Sequence, residues 1–489
     1  MNDLKNTSSS LAQASLPKRK QLLIIGQFFL IIFVYHLLKD LKDTLVITSS
    51  DAGAQVIPFL KIWVILPFAI LASYCFGKIY QKVGRTHTLY VFVSLLLGAY
   101  LLFAFVLYPL REQLYLASLA EFLKSILPAG CKGFISMVSF WIYTFFYLAA
   151  ELWAMMILTI LFWGYLNDVT SSDEAKSFYP LCIFVGNCAG ILSGQFSRYL
   201  CHSLIDTLSW QETLQLMVLI VTACGMGIMV ITRYLSLDEV VSLAFRSKKS
   251  TSKLTFKQSV LCIVQSRPLL CIATLVVGFG LTSNLIEVVW KETIKEVYPL
   301  PQAYNAYVNQ LTSMIGVGAV VMSLLARHIF RVLSWSTVAL ITPVLLFITS
   351  FVFFFCMQMP RDVLSVYSAY INMDGLYLAM TLGSVYYVLA LTAKYTIFDM
   401  CKEMAFLSID ASERMRAKSV IDSVGSRLGK SGSSCLYQVL LITFGSTMGH
   451  ISIVGITAVL VIGISIIATL KLGQHMEESK ELAFETVPS

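Results

Sequence analysis

FISMVSFWIYTFFYLAAELWAMMILTILFWGYLN, residues 134 to 167, contains one charged residue, Glu151. A bilayer core about 30 Å thick is crossed by about 20 apolar residues in a helix. Backbone groups have no water to bond there, so helices and closed barrels are the available spanning structures. A long apolar run without strict alternation is a helix. Glu151 stands near its middle, where an ionised side chain costs about 2.5–3.5 kcal/mol and ordinarily faces a wet cavity or an opposite charge. Glu287 poses the same problem, alone between Pro268 and Trp290. The two carboxylates point to a cavity or pathway rather than a plain anchor.

The rest of the chain follows the same pattern. Of its 489 residues, 57% are hydrophobic and 13% charged, and the mean hydropathy is +0.76, outside the range of soluble domains. The apolar runs predict twelve helical spans, at 21–41, 57–79, 88–109, 134–166, 177–200, 212–235, 259–290, 304–326, 332–357, 372–398, 418–445 and 449–470. The fourth and seventh exceed what a bilayer requires, and are expected to be tilted, broken or extended. A polar tail (1–20), a first group of six spans (21–235), a basic linker (236–258), a second group of six (259–470) and a terminal tail (471–489) complete the organisation.

Most of the 36 Lys and Arg fall on the side of the N-terminus, notably Lys18 to Lys20, Arg246 to Lys257, and Arg414 to Lys418. The positive-inside rule therefore places both termini in the cytoplasm. Topology accounts for the net charge of +8 without nucleic acid as a partner. The eleven cysteines include no C-x-x-C and lie mostly in apolar runs, as small buried side chains. No cleavable signal peptide is expected. No metal or cofactor motif and no catalytic set is present, so an enzyme is not expected.

Six plus six spans characterise the major facilitator architecture, in which substrate binds near mid-membrane between the halves. Gly77-Lys-Ile-Tyr-Gln-Lys-Val-Gly84-Arg85 resembles the loop between its second and third spans, with Gln81 where an Asp is usual. Lys42-Asp43-Thr44-Leu45 closes the expected first span and Lys291-Glu292-Thr293-Ile294 the seventh, as a repeat would have it. Gly425-Ser-Arg-Leu-Gly429-Lys430-Ser431 resembles a P-loop but is one residue short between its glycines and follows no strand. What remains is a lysine among small residues, carried well into the membrane.

Carrying a phosphorylated anion requires cations to replace lost hydration, and carboxylates to hold those cations while the site is empty. Lys42, Lys291, Lys394, Lys402 and Lys430 lie in or beside span ends, where snorkelling to the interface is the plainer reading for Lys291 and Lys394. Trp141, Tyr143, Tyr147, Trp153, Phe162 and Trp163 crowd the fourth span, and serve either packing or a ligand ring.

Several blocks carry a resemblance: Leu41-Lys42-Asp43-Thr-Leu-Val-Ile-Thr48, Val56-Ile-Pro-Phe-Leu-Lys61, Ala150-Glu151-Leu-Trp153, Asn284-Leu-Ile-Glu287-Val-Val-Trp-Lys291, Lys394 to Ala405, and Leu428-Gly-Lys430-Ser-Gly432. In order and over all the expected spans, the chain resembles the nucleotide transporters (ATP/ADP translocases) of intracellular bacteria and plastids. The resemblance implies a multi-pass inner-membrane carrier, bacterial rather than plastid, that imports host ATP in exchange for ADP by alternating access. A proton-coupled importer of nucleoside triphosphates is the alternative, and phosphate or protons are possible co-substrates. The family's charged functional positions map onto Lys42, Glu151, Glu287 and Lys430. Lys42 and Lys430 are expected to contact phosphates, while Glu151 and Glu287 pair with them in the empty cavity or help couple the conformational change. Asn284, Lys291, Lys394, Asp399 and Lys402 are further candidate substrate-binding positions. The working unit is expected to be a monomer. The family commonly has Gly-Gly after Gly-Lys-Ser, where this chain has Gly432-Ser433-Ser434.

Overall fold

In the computed structural model, residues 17–170, 172–203, 205–236, 256–359, 374–409, 417–418, 420–445, 449 and 451–485 are described. Nearly all of the expected N-terminal tail and basic linker, and Arg414 and Arg416, lie outside them. Among the described residues the chain is helical throughout and contains no strand.

The long first helix α1 (Lys18–Thr48) is followed by α2 (Val56–Phe59), a π-helical turn at Leu60–Ile65, and α3 (Leu66–Leu102). A short α4 (Ala117–Ile126) and α5 (Lys132–Ser139) precede α6 (Trp141–Leu152), which continues through a π-helical stretch, Trp153–Phe162, into α7 (Trp163–Val169). Then come α8 (Ser172–Arg198), α9 (Trp210–Ser236), α10 (Phe256–Gln265), α11 (Arg267–Val297), α12 (Pro301–Val332) and α13 (Trp335–Gln358). Last are α14 (Gly375–Ala393), a π-helical turn at Lys394–Phe398, α15 (Asp399–Leu407), a second such turn at Ile421–Gly425, α16 (Ser426–Phe444) and α17 (Ile451–Glu485).

Ten segments among the described residues are long and apolar enough to cross a membrane. One of them, Gly53–Leu107, has 55 residues, about 80 Å if straight, but it is not straight. Gly84 has φ 74° and ψ 177°, backbone geometry that a side chain would resist. Beyond it the chain folds back, so that the rings of Phe76 and Phe92 lie 5.9 Å apart. The expected eleventh span corresponds to Ile421–Phe444, which is not among the ten because its first half carries Asp422, Arg427, Lys430 and a run of small polar residues.

Two expected boundaries move. The fourth span is broken at Phe140 (φ −98°, ψ 47°) between α5 and α6. The seventh is broken at Ser266 (φ −98°, ψ 114°), which detaches α10, and its membrane helix runs from Arg267 to Val297 rather than 259–290. Neither Lys42 nor Lys291 closes a helix: α1 continues to Thr48 and α11 to Val297, equally far past the lysine in each case.

The helices before residue 236 pack mainly on one another, as do those after 267, and the two groups meet chiefly through α8 on α12 and α1 on α12. Their contact is concentrated at the end of the molecule where α1 finishes. There Lys295 Nζ donates to the Ser50 carbonyl at 2.6 Å, the Ala54 amide donates to Glu292 Oε2 at 2.6 Å, and Gln438 Nε2 donates to the Pro58 carbonyl at 2.9 Å. Gly130 lies so close to α16 that a Cβ there would stand 1.9 Å from the Leu441 carbonyl oxygen. At the opposite end, α3 and α7 make no comparable packing with α15 or the turn before α16 among the described residues. Among the described residues the two groups are joined at the α1 end and lack comparable packing at the other.

Candidate functional site

The site is a chain of buried charges that ties α1 to α6 and α11. Lys42 Nζ lies 3.0 Å from Glu151 Oε1 and donates to Asp43 Oδ1 at 2.8 Å. The other oxygen of Asp43 accepts from Lys291 Nζ at 2.7 Å, and Lys291 donates to Glu287 Oε1 at 2.6 Å, one turn back on α11. The order is thus Glu151, Lys42, Asp43, Lys291, Glu287. The middle three side chains are at most 7% exposed, while Glu151 is 34% and Glu287 23% exposed. Burying isolated charges is costly, and neighbouring opposite charges with hydrogen bonds offset that cost. Tyr147, one turn before Glu151, completes the shell with its ring 3.8 Å from Lys42 Nζ, a favourable placement for a cation over a π face.

Local sequence explains the geometry. Residues four apart share a helix face, which brings Glu287 to Lys291 and Tyr147 to Glu151. On α1 the adjacent Lys42 and Asp43 bond to each other, and the lysine also reaches α6 while the aspartate reaches across to α11. Thr44 Oγ1 donates to Asn305 Oδ1 at 3.0 Å, and Asn305 Nδ2 donates to Ser197 Oγ at 3.0 Å, so a polar seam continues the tie through α12 to α8.

A second set of polar groups lies beside the row, with Lys61 within electrostatic reach of Glu287, Lys291, Lys430 and Lys42. Lys61, in the π-helical turn after α2, donates to Asn284 Oδ1. The Asn284 amide donates to Ser433 Oγ at 2.6 Å and Ser434 Oγ at 3.1 Å. Both serines are fully buried and donate to the Lys430 carbonyl, at 2.8 and 2.9 Å. The two serines therefore brace α16 against α11. The Lys430 side chain is exposed and makes no ion pair among the described residues.

The expected residues accordingly separate. Lys42, Glu151, Glu287 and Lys291 form one chain, and Lys291 is buried and paired instead of snorkelling. Glu287 pairs with Lys291, not Lys430. Glu151 lies beside Lys42, so these residues join through Asp43 in one connected row. Asn284 and Lys430 line the neighbouring wall. Lys394, Asp399 and Lys402 form a different cluster near the opposite end, where Lys402 Nζ meets Asp422 Oδ1 at 2.8 Å and Lys394 meets Asp399 at 3.5 Å. Among the fourth-span aromatics only Tyr147 touches the charge chain. Trp153 Nε1 donates to the Ile31 carbonyl at 3.3 Å, Phe162 stacks on Phe28 at 4.7 Å, and Trp141 Nε1 donates to the Leu114 carbonyl at 3.1 Å, which are packing roles.

Asp43, Asn305 and Lys61 were not singled out by pattern. Asp43 reads as the immediate neighbour of Lys42, and nothing in spacing announces a partner on α11. An apolar cleft lined by Phe279, Trp335, Pro343, Phe398 and Ile462, and also by Lys402, lies inside the second group of helices and includes no residue of the charge row.

A helical membrane protein joined at one end through charges shared by its two helix groups is built as a transporter of major-facilitator-like fold. A solved bacterial homologue of the iron transporter ferroportin, in an inward-facing state, shares that fold at TM-score 0.63 and 12% identity, over 94% of this chain and 100% of that one. The family is more specific: a profile described as the TLC ATP/ADP transporter matches residues 13–476, and the chain belongs to that family. Similar proteins include ADP,ATP carrier protein 2 of Chlamydia pneumoniae, 33% identical over 91% of this chain and 87% of that protein. Chloroplastic ADP,ATP carrier protein 1 of Arabidopsis thaliana is 34% identical over 91% of this chain and 72% of its own length.

Proposed function

We propose that this chain exchanges ATP for ADP across a bacterial inner membrane, crossing it twelve times in two six-helix halves with both termini in the cytoplasm. One chain is the working unit, and it carries its substrates unchanged, without enzymatic chemistry. The observation that carries this reading is the Glu151, Lys42, Asp43, Lys291, Glu287 row, which joins the halves at the closed end. In that orientation the closed end is the outer one.

The row supplies a reason for exchange. Without substrate, Asp43 satisfies Lys42 and Lys291 together and holds α1 to α11. A polyphosphate arriving from the open side offers both lysines better-charged acceptors, and so competes with Asp43, Glu151 and Glu287. Released carboxylates no longer tie the halves, and the closed end can part. A ligand shifts such an equilibrium only by its differential affinity for the two states, and here that difference resides in the phosphates. An empty carrier stays latched, which favours exchange over net movement. Lys61 and Lys430 add cations to the same cavity.

Proteoliposomes containing the purified chain test this directly. Labelled ATP should enter vesicles loaded with ADP and not empty vesicles. Uptake into empty vesicles driven by a pH gradient would overturn exchange in favour of proton coupling.

A further inference from the structure

Lys39, like Lys61 and Lys430, makes no ion pair with a carboxylate among the described residues. Lys39 lies on α1 one turn from Lys42, about 4.5 Å toward the open end. Its ammonium makes no ion pair or hydrogen bond among the described residues, and its one close partner is the ring of Tyr387, 5.7 Å away. The adjacent Asp40 turns aside and accepts from Thr312 Oγ1 at 2.6 Å. Within its electrostatic reach stand Asp40 and three phenols, Tyr387 of α14, Tyr35 of α1 and Tyr395 of the π-helical turn after α14. None of their hydroxyls has a hydrogen-bond partner among the described residues. Tyr387 is held in place by stacking on Trp290 at 4.2 Å, and Trp290 Nε1 donates to Ser384 Oγ at 3.0 Å.

We propose that Lys39, Tyr35, Tyr387 and Tyr395 form an oxyanion subsite that takes a phosphoryl group before the paired lysines do. The subsite deepens the exchange reading and rests on it. Its chemistry is a set of donors with no carboxylate among them: an ammonium supplies charge, and each phenol can donate O–H to a phosphate oxygen. Binding at Lys42 or Lys291 must displace a paired carboxylate, whereas Lys39 has no ion pair to break. Lys39 and Tyr35 come from one helix group and Tyr387 and Tyr395 from the other, so an anion seated there contacts both while the closed end is still latched.

The test is equilibrium binding to the purified full-length chain in lipid nanodiscs, with ATP, ADP, AMP and inorganic phosphate as separate probes. Lys39→Gln should weaken ATP and ADP roughly 10- to 100-fold, as loss of a charge-assisted contact does, and Lys39→Arg should recover most of it. Tyr387→Phe keeps the stacked ring and should weaken both nucleotides several-fold, which preserves the test if Lys39→Gln does not fold. Loss confined to the nucleotides assigns the subsite to their own phosphates. Loss confined to inorganic phosphate assigns it to a free phosphate. Unchanged binding of every probe in folded Lys39→Gln and Tyr387→Phe overturns the subsite. Absence of nucleotide binding by the unsubstituted chain overturns the exchange reading instead.

Discussion

Two clusters of charge in this molecule use the same residue types in different surroundings. The Glu151 to Glu287 row is buried at its centre and connects helices from both groups through Asp43. The cluster of Lys394, Asp399, Lys402, Glu403, Lys418 and Asp422 is local to α15 and its neighbours, and its carboxylates are 34% to 48% exposed. Exposed ion pairs contribute about 0–1 kcal/mol. Removing one member of a buried pair costs about 3–5 kcal/mol, because the partner is left charged in a poor solvent. Only the buried row therefore has enough energy at stake to hold the halves together and to respond to an anion.

The sharpest way to break the comparison is Asp43→Asn. It leaves Lys42 and Lys291 without their shared acceptor, and exchange in proteoliposomes should fall at least about 100-fold, in line with a loss of several kcal/mol. Lys291→Ala should fall comparably, and a wild-type rate would return Lys291 to the class of interfacial lysines. Next comes Gly130→Ala. Its Cβ would strike the Leu441 carbonyl, and overpacking of about 1–3 kcal/mol should slow exchange by roughly tenfold or more. The variant should also leave the Thr48 end of the molecule more accessible to thiol reagents, and unaltered accessibility would show that close packing there is not the seal.

Smaller effects sharpen the picture. Ser433→Gly with Ser434→Gly removes the braces on Asn284. Each hydrogen bond is worth about 0.5–1.5 kcal/mol, so the KM for nucleotide should rise several-fold with little change in maximal rate. A fall in maximal rate alone would mean that the serines govern the conformational step rather than the cavity wall. Lys402→Ala, in the exposed cluster, should change exchange less than about fivefold. A loss as large as that of Asp43→Asn would erase the distinction between the two clusters.

Much of this was legible in the sequence, for physical reasons. Bilayer thickness sets a length scale that apolar runs display directly, and Glu151 and Glu287 stood out because a lone charge in such a run is expensive. Helix ends were less legible. Hydropathy stops at the first charge, but α1 and α11 continue past Lys42 and Lys291, because the lysines are paired inside the protein and not anchored at lipid. The kinks at Phe140 and Ser266 depend on backbone geometry that apolar side chains do not announce. Asp43 was hidden in plain view. Its partner Lys291 is distant in the chain, and only the packing of α1 on α11 turns a neighbour of Lys42 into the link between halves.

In the proposed cycle Asp43 latches the closed end until phosphate displaces it. Spin labels at Asp51→Cys and Leu300→Cys, both exposed at that end, would report its opening by pulsed electron-electron distance measurement, after the exposed Cys75 and Cys435 are replaced. The expected result is one short distance in the empty protein and an added longer one with ATP or ADP. The longer distance should be present without nucleotide when Asp43→Asn is introduced. Identical distances in the empty protein with and without Asp43→Asn would contradict the account.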